Sequence, residues 1–371
     1  MAIPQTPRGW QAGSRGSRLS GWPAFLGLLL SLFLCLPVAR AADGGGAGAS
    51  GAGASGAGAS GAVAPGAGPA HPLRVVASFS ILGDMVRQIG GADVQVDALV
   101  GPDGDAHEYE PTPADARALG AAQVLVVNGL NFETWMNRLV KASNFKGITV
   151  VAAEGVQPRD FDEDDIAGHA DGDADHAPGG GSAAPGGKSG HGHHDPHVDP
   201  HAWQDLSNGV VYARNIGAAL AKADPSHADA YRQRTEAYVA RMQALDQRVR
   251  QSFAALPPER RRVVTSHDAF GYFGRAYGVT FISTMGISTD AEPSAGDVAR
   301  IIDQVKQEKV PAVFLENVSN PRLGQRIAHE TGAKLGGTLY SDALAKPGLP
   351  ASTYLGMFEW NLAAFMAALK P

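Results

Sequence analysis

The chain is almost without cysteine: of 371 residues only Cys35 is one. It lies in an apolar run near the start, and cleavage after Ala41 would leave none. Disulfides, thiolate metal sites and cysteine nucleophiles are then excluded. The apolar run, Ala24 to Leu36, is shorter than the roughly 20 residues a membrane-spanning helix needs. No His-Glu-x-x-His sequence occurs, so that peptidase signature is missing. Positive charge is also scarce. The formal net charge is -6, and removal of Arg8, Arg15, Arg18 and Arg40 takes it to -10. An acidic surface argues against nucleic acid as a partner and tolerates cations well.

What is present begins with an export signal. Three arginines precede the apolar run, and Ala39-Arg40-Ala41 offers small residues where a signal peptidase reads them. Residues 1–41 are expected to be a secretory signal, which places the protein in the periplasm. Leu34 stands before Cys35, where a lipoprotein signal needs a small residue, so no lipid is expected there. Residues 42–72 are dominated by a Gly-Ala-Ser repeat that cannot bury a core and should be a flexible tether. From Leu73 onward about 300 residues remain, enough for two lobes each with its own core.

Strand-like and helix-like segments alternate through this part. Leu73 to Phe79, Val94 to Val100, Val124 to Val127 and Ile148 to Ala152 have the character of buried strands. Ile81 to Ile89, a segment from Pro113 capped by Thr112, and Phe132 to Ala142 have helical spacing between them. Asp160 to His194 is acidic, glycine-rich and without apolar periodicity, so it should be a long loop. Leu206 to Ala223 is helical. A longer helix from Pro225 to about Leu256 has one buried stripe, including Tyr231, Tyr238, Met242, Leu245, Val249 and Phe253. Its expected length of about 45 Å suits a strut between lobes. A second alternating set follows to a final amphipathic helix at Leu355 to Leu369. The fold class is therefore α/β: two (β/α) lobes with mainly parallel sheets, residues 73–205 and 257–371, joined by a helical segment at 206–256.

Histidine is concentrated rather than plentiful: seven of 12 fall between His169 and His201. Such a tract, here 160–197, suits loose metal collection or a polar loop. A defined site needs partners from elsewhere. Ligands of open parallel sheets bind beyond the carboxyl ends of the strands. Four metal-capable residues pass that filter: His107 after the second strand, His201 after the fourth, His267 at the end of the fifth, and Asp342 after the last. Asp342 could instead cap a helix, and any one of the histidines could be hydrogen-bonded to nearby backbone. Glu316, at another strand end, is a rival oxygen ligand or a carboxylate that orients a ligating histidine. Asp199 and Asp268 could act in that second way too. His71, His227 and His329 are expected to be solvated. Three imidazoles and a carboxylate suit tetrahedral Zn²⁺, with Mn²⁺ the second choice.

Four motifs carry a family resemblance. They are Asp-Ala-His-Glu-Tyr-Glu-Pro-Thr-Pro around His107, Asp-Pro-His-Ala-Trp around His201, Ser-His-Asp-Ala-Phe-Gly-Tyr-Phe around His267, and Leu-Tyr-Ser-Asp-Ala-Leu around Asp342. In this order they resemble the zinc- and manganese-binding solute-binding proteins of ABC importers, the TroA-like group, over about Arg74 to Leu369. The resemblance implies two lobes joined by a rigid helix with the ion in the cleft. It implies ligands at His107, His201, His267 and Asp342, a permease in the cytoplasmic membrane as partner, and no catalysis. Manganese-handling relatives often have a carboxylate where this chain has His267, which points to zinc. Zinc-binding relatives can have a glutamate just before the first histidine, where this chain has Ala106, and their tethers are usually shorter. A monomeric zinc-capture protein is thus expected. A secreted zinc hydrolase, and a metal buffer or adhesin working through its histidine-rich loop, are the rival functions.

Overall fold

The computed structural model describes residues 71–160, 198–289 and 293–370. The expected signal, nearly all of the tether and the histidine-rich stretch lie outside them. Two four-stranded sheets form the frame, every strand pairing parallel to its neighbours. The first contains β1 (Leu73–Phe79), β2 (Val94–Val100), β3 (Val124–Val127) and β4 (Ile148–Val151), with α1 (Ser80–Gly90), α2 (Pro113–Ala121) and α3 (Met136–Ser143) between them. The second contains β5 (Arg262–Thr265), β6 (Thr280–Ser283), β7 (Ala312–Glu316) and β8 (Lys334–Leu339), with α6 (Gly271–Tyr277), α7 (Ala295–Glu308) and α8 (Pro321–Thr331). The strand orders are β2-β1-β3-β4 and β6-β5-β7-β8, so the lobes repeat one topology. Between them run α4 (Leu206–Ala223) and α5 (Ala228–Ala254), and α9 (Tyr354–Leu369) closes the chain.

Residue choice explains the layering. All four residues of β3 and all five of β7 are buried, because central parallel strands are covered on both faces. Edge strand β2 instead alternates between half-buried and exposed positions along most of its length. Thr112 and Asp115 form a reciprocal capping box at the start of α2, with Pro113 at its first position. Ser294 and Asp297 do the same for α7.

Three expectations need adjustment. Phe132 to Trp135 is a turn rather than the start of α3, since Leu130 and Asn131 have left-handed φ values of 52° and 61°. Pro225 opens a short 3-10 turn, and α5 proper begins at Ala228. The lobes also do not have separate cores. One contiguous apolar cluster takes in both sheets together with α1, α4, α5, α6 and α9. A smaller cluster, with Ile301, Val305 and Ile327, fills only the α7 and α8 side of the second sheet. The fusion arises because the intervening helices present apolar groups to both lobes.

The strut is as expected in kind. Its 27 residues span about 40 Å at 1.5 Å per residue. Near its start, Arg234 donates to the Ile89 carbonyl at 2.6 Å and to Asp93 at 2.7 Å. Near its end, the Phe253 ring lies 5.5 Å from both Phe273 and Phe365. The helix therefore bears on both lobes.

Candidate metal centre

Each sheet sends two side chains from its carboxyl end to a common point. The loop after β2 carries His107, whose backbone N–H donates to Asp105 Oδ1 at 2.8 Å. The Trp135 indole holds the adjacent Ala106 carbonyl at 3.0 Å. The second lobe grips this loop as well: Asp103 N–H donates to the Leu344 carbonyl at 2.9 Å and Thr289 Oγ1 to Asp105 at 2.7 Å. His201 follows β4, past the 161–197 stretch. Its backbone N–H and its Nδ1 both meet Asp199 Oδ1, at 2.9 and 2.8 Å. That Nδ1 contact leaves Nε2 to face the centre.

The second lobe mirrors this. His267 lies two residues beyond β5, and its backbone N–H and that of Ser266 donate to Glu316 Oε1 at 3.0 and 2.7 Å. Glu316 Oε2 stands 2.7 Å from His267 Nδ1, close enough to fix the orientation of the ring and leave Nε2 facing the centre. Asp342 follows β8. The Trp203 indole and the Gln204 amide of the first lobe hold the Ser341 carbonyl beside it, at 3.0 and 2.7 Å. No helix begins at Asp342; α9 is capped by Thr353.

The four converge. His107 Nε2 lies 3.3 Å from His201 Nε2 and 3.3 Å from Asp342 Oδ2. His267 Nε2 lies 3.0 Å from Asp342 Oδ2, and His201 Nε2 3.7 Å from Asp342 Oδ1. One donor atom from each lies within 4.8 Å of all the others. Nitrogen donors about 2.0–2.1 Å from a tetrahedral ion are about 3.3 Å apart, so the spacing fits one cation. His201, His267 and Asp342 are fully buried, and His107 is nearly so. Asp342 Oδ1 has no hydrogen-bond partner despite its burial. An unsatisfied buried carboxylate oxygen is costly, and a cation here would satisfy it.

Charge is concentrated at the same point. Burial alone would lower the His267 pKa, but the Glu316 and Asp342 carboxylates outweigh it and raise it well above 6.5. Burial alone would raise Asp342, and the facing His267 and His201 rings hold it well below the ordinary carboxylate value instead. Asp199 is likewise held low against its burial, chiefly by His201 and also by Arg159.

All four expected ligand positions therefore meet, and Glu316 and Asp199 stand beside the rings they were expected to orient. His71 and His329 are exposed. His227 is not simply solvated: its Nδ1 lies 2.6 Å from Asp224 Oδ2. Sequence reasoning passed over Asp105 and Arg159. For Asp105 a signal existed, since Asp-x-His occurs at both 105–107 and 199–201 and makes the same backbone bond in each.

Comparison with known proteins decides the family. Residues 75–368 match the family model described as ZnuA, zinc-uptake complex component A, periplasmic. The chain belongs to the ZnuA family. It is 31% identical over 296 residues to the manganese ABC transporter substrate-binding lipoprotein PsaA of Streptococcus pneumoniae, covering 78% of this chain and 86% of that protein. It is 30% identical over 293 residues to the iron-binding protein YfeA of Yersinia pestis, covering 79% and 85%. Among solved structures, the periplasmic zinc-binding protein TroA of Treponema pallidum superposes with a TM-score of 0.68 at 29% identity, covering 81% of this chain and all of that one. This ZnuA-family chain is thus a metal-binding substrate-binding protein of an ABC transporter, with a divalent cation as cargo and a permease as partner. It is a binding protein and not an enzyme, which removes the hydrolase reading.

Proposed function

We propose that the cargo is zinc, that His107, His201, His267 and Asp342 are its ligands, and that the protein captures it in the periplasm as a monomer for delivery to the permease. The donor set supports this reading most. Three imidazole nitrogens and one carboxylate, their donor atoms all within 4.8 Å of one another, suit zinc, whereas manganese favours more oxygen. The basic start, the short apolar run and the Ala39-Arg40-Ala41 site support export by a cleaved signal. The lobes are assigned to 73–205 and 257–371, with 206–256 joining them. The histidine-rich stretch would gather metal when it is scarce, leaving the tight site to these four residues.

Metal analysis of the purified protein and competition against a chromophoric chelator test the proposal. One zinc per chain is expected, with His201→Ala weakening binding by orders of magnitude because a ligand is lost. A chain that returns loaded with manganese or iron, or a variant of unchanged affinity, would sink it. Manganese or iron is the second reading, because relatives as similar as PsaA and YfeA are named for those metals. Deleting 160–194 should leave one tight site in place. Loss of all tight binding would return the function to the loop.

A further inference from the structure

A half-buried arginine stands behind His201, outside the ring of donors. Arg159 immediately precedes Asp160, which pairs with Val198 in a short antiparallel bridge. The pairing brings Arg159 against Asp199, 40 residues on. The Arg159 carbonyl accepts from Asp199 N–H at 2.9 Å, and the Arg159 guanidinium donates to Asp199 Oδ2 at 3.0 Å. Asp199 thus divides its oxygens: Oδ1 for the backbone and ring of His201, Oδ2 for Arg159. The Asp199 side chain is fully buried and that of Arg159 is 16% exposed, so water screens the pair little.

The second lobe makes room for this contact. Arg159 N–H donates to the Tyr272 hydroxyl at 2.9 Å. Gly271, beside Tyr272, has no side chain to block the guanidinium: a Cβ there would stand 2.1 Å from Nη1 and 2.8 Å from Asp199 Oδ2. Any larger residue must displace the arginine.

Charge balance gives the contact a purpose. Among the described side chains that line the centre or contact an imidazole of it, Asp342, Asp199 and Glu316 are negative. A divalent ion offsets two of these charges, and Arg159 offsets the third. Without it, Asp199 would be a buried carboxylate left without its cation, a strongly destabilising arrangement that relaxes by moving or neutralising the group. The His201 ring would lose its anchor. We propose that Arg159 is a positioning residue for metal binding, fixing His201 through Asp199 so that the bound ion is held longer. The inference rests on the assignment of His201 as a ligand.

Three variants of the full chain test it: Arg159→Gln, Arg159→Lys and Gly271→Ala. Zinc affinity is read by chelator competition, release by stopped flow into excess chelator, and the His201 ring by its imidazole ¹⁵N signals. Arg159→Gln should release zinc about tenfold faster with association little changed, the lower range for loss of a group behind a ligand. It should also shift the His201 Nδ1 signal. Arg159→Lys should restore most of both, because charge is retained. Gly271→Ala, with the arginine intact, should reproduce the loss. Release within twofold of the parent in Arg159→Gln, or a loss that lysine does not rescue, overturns the inference. His201→Ala, run alongside, separates the two claims. If it abolishes tight binding while Arg159→Gln is silent, only the arginine's role falls; if it is silent too, the ligand assignment falls with it.

Discussion

Glu316 clamps the end of β5 from two directions. One oxygen receives the backbone of Ser266 and His267, and the other faces the His267 ring. The residue sits at the end of β7, the strand beside β5, so sheet pairing sets its reach. Glu316→Gln keeps the size but removes the charge that holds the imidazole. It should weaken zinc binding about 10–100-fold, the range for groups that orient a metal-bound histidine, as measured by chelator competition. An affinity within twofold of the parent would show the carboxylate to be merely structural. Glu316 and Asp199 were both visible in the sequence as carboxylates near expected ligands. Arg159 was not, because its role depends on a chain reversal across 40 residues that no local pattern announces.

At the scale of elements, the turn into α5 is held by charge. His227 lies between Asp224 at 2.6 Å and Asp93 at 3.8 Å. Its hydrogen bond to Asp224 raises its pKa above 6.5. Asp224 is held below 3.8 by Ser226 and His227 against the effect of its own burial. The histidine's contribution is fully present below pH 6.5 and disappears as pH rises through its raised value. The aspartate's is present above its unfolded value and lost as pH falls through its lowered one. His227→Gln should therefore lower the melting temperature most between about pH 5 and 6 and least near pH 9. An equal loss at both pH values would rule the charge pair out. Farther along the same helix, Phe253→Ala should cost about 3–5 kcal/mol in denaturant unfolding, since that ring is buried against Phe273, Tyr277 and Phe365. A cost under 1 kcal/mol would mean the junction repacks around the gap.

Periodicity made most of these elements legible. Runs such as Val124–Val127 and the stripe from Tyr231 to Phe253 declare strand and helix directly. What failed was local or global in character. The left-handed pair Leu130 and Asn131 holds back the start of α3, and neither residue is a glycine that would signal it. The terminal helix was expected to be amphipathic, yet only Glu359, Trp360, Ala363 and Ala367 of its residues are exposed. A pattern of apolar positions shows that a helix is buried, but not that two lobes share it. The convergence of the four candidate positions was readable because parallel sheets place groups beyond strand ends at a common face, a rule of topology rather than of composition.

On the scale of the whole molecule, the shared core has a thermodynamic consequence. With one apolar cluster running through both sheets and the strut, the lobes should unfold together. Calorimetry of the metal-free protein should give a single transition. Saturating zinc should move it upward without splitting it, since a ligand at 1,000 times its Kd adds about 4 kcal/mol. Two resolved transitions in the metal-free protein would show the lobes to be independent.

The division of donors, two from each sheet, also sets how the cargo can leave. Each lobe alone offers a pair: His107 with His201, or His267 with Asp342. On the proposed ligand set, parting the strand tips by little more than one coordination bond would leave the ion on two donors instead of four. Dissociation then needs no unfolding and no protonation of all three rings. A membrane partner that levered the halves apart would meet a cation already half undressed, with water able to reach it first on the side left bare.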